Sequence, residues 1–95
     1  MSQHILDTEE IINSAVFKAL GDSTRFHLFL LIAKNPDICA CELLDKLAIA
    51  QTTLSHHVKI LSQADLIKIE KKGRWKHYEA NQEKIRELIT FMKSL

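Results

Sequence analysis

The chain has 95 residues, enough for one small domain with a modest core, a size class that often gains stability by pairing. Hydrophobic residues make up 46% of it, with only 2 Gly and 1 Pro, which excludes a disordered or loop-rich chain, and the longest apolar run, Leu28 to Ala33, is far too short to cross a bilayer. The net charge is only +1, but residues 51–80 carry six Lys and Arg against three acidic residues while residues 1–50 carry four against seven, so positive charge gathers in one stretch, as phosphate binding requires.

Met1 to Glu10 holds acidic residues and no apolar core, so no signal peptide is expected and the chain reads as cytoplasmic, with no membrane partner. The helical spacing of Ile12, Ala15, Val16 and Ala19 predicts a first helix over about Thr8 to Leu20, ended by Gly21 in the left-handed conformation that glycine adopts cheaply. Asp22 or Ser23 then caps a second helix, about Ser23 to Lys34. Phe26 and the run Leu28 to Ala33 make it apolar nearly all round, which predicts the central buried helix. Asn35-Pro36-Asp37 breaks it.

A short third helix, about Ala40 to Leu47, turns Leu43, Leu44 and Leu47 inward. A tight turn at Ala48 to Ala50 leads to a fourth, about Gln51 to Ala64, with Leu54, Val58 and Leu61 at i, i+4, i+7 and Ile60 beside them. The other face carries Gln51, Thr52, Ser55, His56 and Lys59. Two short helices joined by a tight turn, the second polar outside, are a helix-turn-helix signature. Leu66 to Glu70 and Trp75 to Glu79 alternate with period two, and Lys71-Lys72-Gly73-Arg74 between them reads as a basic turn, so this stretch predicts a β-hairpin. Trp75 reads as a core or hairpin anchor. A last helix, about Gln82 to Leu95, carries Ile85, Leu88, Ile89 and Met92 on one stripe. The fold class is mainly α (α+β), a winged helix-turn-helix in the order α-α-α-α-β-β-α, and residues 1–95 read as a single DNA-binding domain.

Several segments carry a resemblance: Leu20-Gly21-Asp22-Ser23-Thr24-Arg25, Cys39-Ala40-Cys41-Glu42-Leu43, Gln51-Thr52-Thr53-Leu54-Ser55-His56-His57-Val58 with Leu61, Ala64-Asp65-Leu66-Ile67, and Gly73-Arg74-Trp75-Lys76-His77-Tyr78. Over roughly residues 11 to 80 the chain is similar to the arsenic-repressor (ArsR/SmtB) family of winged-helix transcriptional repressors. The resemblance implies a homodimer through the first and last helices, binding a double-stranded operator with inverted-repeat half-sites.

The fourth helix is expected in the major groove, whose base edges offer a readable donor–acceptor pattern to Gln51, Thr52, Thr53, Ser55 and His56. Lys59, Lys71, Lys72, Arg74 and Lys76 are expected on the phosphate backbone. His57 matches the family's signature histidine and reads either as a packing residue near the wing or as a direct DNA contact.

Cys39 and Cys41, one residue apart at the start of the third helix, read as free thiols, metal ligands or a redox pair. The resemblance implies a soft-metal or arsenite site here, with arsenite, cadmium, lead or zinc as inducer and no cofactor required. Family members responsive to arsenite have a third cysteine where this chain has Leu44; His4 or Asp7 is the donor at hand from the amino-terminal arm. The family's other metal site, on the last helix, is rejected because residues 82–95 contain no His and no Asp. A redox-responsive or constitutive repressor of the same fold is the alternative. A protein-interaction winged helix without DNA binding is the alternative of another class, and the basic hairpin argues against it. No phosphate loop, nucleophile–base pair or paired-carboxylate motif points to an enzyme.

Overall fold

The computed structural model describes residues 7–95. The elements are α1 (Thr8–Leu20), α2 (Ser23–Lys34), β1 (Ile38–Cys39), α3 (Ala40–Leu47), α4 (Gln51–Gln63), β2 (Ile67–Lys72), β3 (Trp75–Ala80) and α5 (Gln82–Lys93). The expected winged helix-turn-helix is present with one added element. The two-residue strand β1 pairs antiparallel with β3, Ile38 opposite Tyr78 and Cys39 opposite His77, giving a three-stranded sheet in the order β1-β3-β2. Two residues are too few to show a period, so this strand has no sequence signal.

Four helices start on a side chain that accepts a backbone N–H: Asp7 from Glu10 (2.8 Å), Asp22 from Arg25 (2.9 Å), the Cys39 sulfur from Cys41 (3.1 Å) and Asn81 from Lys84 (3.3 Å). Oxygen caps of this kind contribute about 1 kcal/mol each. Helix α4 starts on Ala50 and has no side-chain cap.

Two turns differ from expectation. Gly21 is right-handed (φ −79°), not left-handed; its N–H bonds Lys18 O at 3.2 Å, and a Cβ there would lie 3.3 Å from Phe17 O. Close approach, not chirality, selects glycine here. The hairpin strands run one or two residues further than predicted. Lys72 faces Trp75, leaving Gly73-Arg74 as a two-residue turn with Gly73 at φ +65°. A glycine with positive φ in the first position suits the twist of a tight hairpin.

The core is built from Val16, Leu28, Ile32, Leu43, Leu61 and Leu66, with Tyr78 under the sheet. Four elements bury less, or a different face, than expected. In α1 the buried row is Asn13, Val16 and Ala19, and Ile12 is 44% exposed. Helix α2 is not buried all round, since Phe26 lies outside. In β2 only Ile67 is buried, because the wing projects past the core and leaves Ile69 40% exposed. Helix α5 buries only Lys84 and leaves Ile89 and Met92 about half exposed. The radius of gyration is 14.9 Å and the long axis 50 Å, against about 12 Å for the radius of a compact domain of this length. No helix among the described residues is long and apolar enough to cross a membrane.

Candidate nucleic-acid interface

Helix α4 separates its two faces cleanly. Leu54, His57, Val58 and Leu61 are buried; Gln51, Thr52, Thr53, Ser55, His56 and Lys59 are exposed. Because Ala50 has no side-chain oxygen, the N–H groups of Gln51, Thr52 and Thr53 are left at the amino end, while Leu54 N already bonds Ala50 O at 3.0 Å. The wing stands beside this end. Gln51 and Ser55 share a groove of about 310 Å³ with Lys71, Arg74, Trp75 and Lys76. On its other side Lys76 meets Ser55 and Lys59 across a second cleft of about 340 Å³. The fold therefore brings short polar groups, free helix N–H groups and four cations (Lys59, Lys71, Arg74, Lys76) to one surface. Trp75, expected as an anchor, is 38% exposed on the wall of that groove.

Two expected site residues are placed differently. His57 is 9% exposed and turned away from this surface, its Nδ1 3.4 Å from Arg25 Nη1, so it packs inside and the outer row is left to His56. Lys72 is exposed but engaged. Its Nζ donates to both carboxylate oxygens of Asp37 at 2.8 Å, while His77 Nδ1 lies 2.9 Å from the Asp37 carbonyl. This ties the wing to the loop before β1. The Lys72 hydrogen bond holds the Asp37 carboxyl below its usual range, and Asp37 holds the Lys72 ammonium above its own. A lowered carboxyl contributes stability above its unfolded value that is lost as acid protonates it; a raised amine contributes below its unfolded value and is lost in strong base. The pair is therefore intact across the neutral range. Replacing Asp37 by Asn is expected to release Lys72 to phosphate and to steepen the slope of log affinity against log salt by about one unit. An unchanged slope in a salt titration would show that Lys72 does not reach the backbone.

Cys39 and Cys41 are joined as a disulfide in the structure, with Cα atoms 5.2 Å apart, and not free as one reading expected. Cys39 is buried, and it is at once a β1 residue paired to the wing strand and the cap of α3. The pair thus sits where the wing meets the helix-turn-helix. As ligands, the two sulfurs would need to be reduced. Among the described residues no group of three or more His, Cys, Asp or Glu is arranged for a metal ion, so the pair would supply two soft donors. His4, the expected third donor, lies outside the described residues.

This fold and surface are those of a winged helix-turn-helix protein. The family model for bacterial regulatory proteins of the arsR family matches residues 22–68. An uncharacterized HTH-type transcriptional regulator of Methanocaldococcus jannaschii is 38% identical over 80 residues, 84% of this chain and 90% of that one. The arsenical resistance operon repressor of Bacillus subtilis is 36% identical over 74 residues, 78% of this chain and 70% of that one. Among solved structures, an ArsR-like transcriptional regulator from Rhodococcus sp. RHA1 superposes with a TM-score of 0.83 at 22% identity, covering 93% of this chain and 82% of that one. The chain belongs to the ArsR family of transcription regulators.

Proposed function

We propose that the chain is a dimeric, sequence-specific DNA-binding repressor, released from its operator when Cys39 and Cys41, as a reduced dithiol, take up arsenite or a soft metal ion. The observation that carries the DNA reading is the joint surface of α4 and the wing. There the polar row Thr52, Ser55, His56 and Lys59 lies beside an uncapped helix end and an exposed basic hairpin. Helix amino ends favour phosphate through free N–H groups and the helix dipole. Short polar side chains in the major groove read base edges.

The dimer reading rests on apolar surface that is left exposed among the described residues. Ile11, Ile12 and Phe17 of α1 and Ile89 and Met92 of α5 are each 44–55% exposed. A groove of about 1000 Å³ runs between the two helices. Exposed apolar surface of this extent marks an interaction face.

The inducer reading rests on the position of the sulfur pair and on the likeness to the arsenical repressor of B. subtilis. Thiolates select arsenite, cadmium, lead and zinc over hard cations. Binding at the junction of β1 and α3 would move wing and reading helix together, which is the differential contact that release requires. The disulfide favours a second reading, in which thiol oxidation is the signal and DNA affinity follows the redox state of the pair.

The test is fluorescence anisotropy of the reduced protein on duplex DNA from upstream of its own gene. Arsenite, cadmium and a thiol oxidant are titrated separately, with a Cys39→Ser, Cys41→Ser double variant alongside. Release of the wild type by arsenite or cadmium, with no release of the variant, is the expected result. Release by the oxidant alone selects the redox reading. A repressor that binds DNA and responds to none of the three removes the sensing role.

A further inference from the structure

Arg25, on α2, reaches two further helices with its side chain. It sits at the start of α2, where its own backbone N–H is taken by Asp22. Its Nε donates to Ala19 O and its Nη2 to Lys18 O (3.3 Å), carbonyls of the last turn of α1. Its Nη1 faces Nδ1 of the buried His57 on α4 at 3.4 Å. Arginine has only donors, so in a hydrogen bond between the two His57 Nδ1 is the acceptor. A cation at the carboxyl end of α1 also meets the negative end of that helix. Beside this contact α1 and α4 leave a cleft of about 270 Å³ lined by Ala15, Ala19, Arg25, Ile60 and Ala64. Val16 and Ala19 of α1 pack in the core with Leu61 of α4 below this cleft, and at its edge the planar guanidinium adds a polar span between the two helices.

We infer that Arg25, through His57, is a positioning residue for DNA recognition: it sets the angle and distance of the reading helix from α1. The inference rests on the reading of the chain as a DNA-binding dimer that pairs through α1 and α5. In such a dimer the separation of the two α4 helices is fixed by how each is held on its own α1. Half-sites one helical turn apart, about 34 Å, tolerate little error in that separation. A guanidinium fork holds such geometry because its donors lie in one plane; a lysine ammonium cannot bridge the same three acceptors. His57 falls in the buried row of α4 with Leu54, Val58 and Leu61, so it acts on DNA only through the placement of the helix.

The experiment uses duplexes selected from a random library by the wild-type protein. Affinity is measured on the selected duplex, on the same duplex with its half-sites moved apart by two base pairs, and on an unrelated duplex; dimer dissociation and thermal midpoint are recorded in parallel. Arg25→Lys and His57→Leu are each expected to lose about tenfold in affinity for the selected duplex, the worth of one hydrogen bond to a charged group. Affinity for the unrelated duplex and the dimer constant should stay within about twofold, and the spacing preference should flatten. His57→Asn, whose Oδ1 replaces the Nδ1 acceptor, is expected to restore much of the loss. If Arg25→Lys does not fold, the His57 pair decides. Variants that melt earlier but keep the wild-type ratio of selected to unrelated affinity, and the wild-type spacing preference, would overturn the inference. If the wild type enriches no sequence from the library, the DNA-binding reading fails, and this inference with it.

Discussion

A chain carrying Ser55→Ala and His56→Ala together is expected to bind its operator at least about thirtyfold more weakly than the wild type, while its affinity for unrelated DNA hardly changes. Base-edge contacts in the major groove are worth about 1–3 kcal/mol each, and two lost contacts multiply. Both side chains lie on the exposed face of α4 and neither contributes to the core, so folding should be untouched. The non-specific term comes from cations on the phosphates, and Lys59, Lys71, Arg74 and Lys76 remain. Arg74→Ala gives the opposite pattern, weakening binding to all sequences alike and flattening the salt dependence. Paired titrations on operator and unrelated DNA, each at several salt concentrations, separate the two. If the double variant loses both affinities in parallel, the row Ser55 and His56 holds backbone and does not read bases.

Ile89→Glu combined with Met92→Glu carries the second large effect. These residues are 48% and 49% exposed, so a carboxylate at each stays solvated in the single chain and the fold should survive. In a symmetric interface every substitution appears twice, and four buried carboxylates would face one another. Sedimentation should show a monomer. Operator affinity should fall by about 10² to 10⁴, the advantage that linking two half-site contacts provides. A variant that stays dimeric would place the interface away from α5.

The sequence carried the helices well because their signals are local and repeated. Apolar periods, with a cap at Asp22 or Ser23 for α2, marked α1 to α5 within a residue or two, and the alternation on either side of Gly73 located the wing. Periodicity alone could not say which apolar face of α1 or α5 packs inward, because Ile12 and Ile89 are as hydrophobic as the residues that do. Of the two readings of His57, packing residue or direct DNA contact, its spacing favours packing. It occupies the i+3 position after Leu54, within the very stripe that continues to Val58 and Leu61, and so belongs inside. The Asp37–Lys72 and Arg25–His57 contacts join residues 35 and 32 positions apart. Contacts at such separation depend on tertiary placement, which no local pattern encodes. The joining of Cys39 to Cys41 was one of three readings that composition left open.

The bare amino end of α4 makes the reading helix an incomplete structure until something occupies it. Three amides, Gln51, Thr52 and Thr53, depend on water in the free protein, whereas their counterparts in the other helices are partly supplied by the chain itself. A phosphate oxygen arriving there finishes the first turn. The first turn of this helix should then exchange its amide hydrogens quickly in the free protein and slowly in the complex, so that part of the ordering of the reader takes place on the DNA itself.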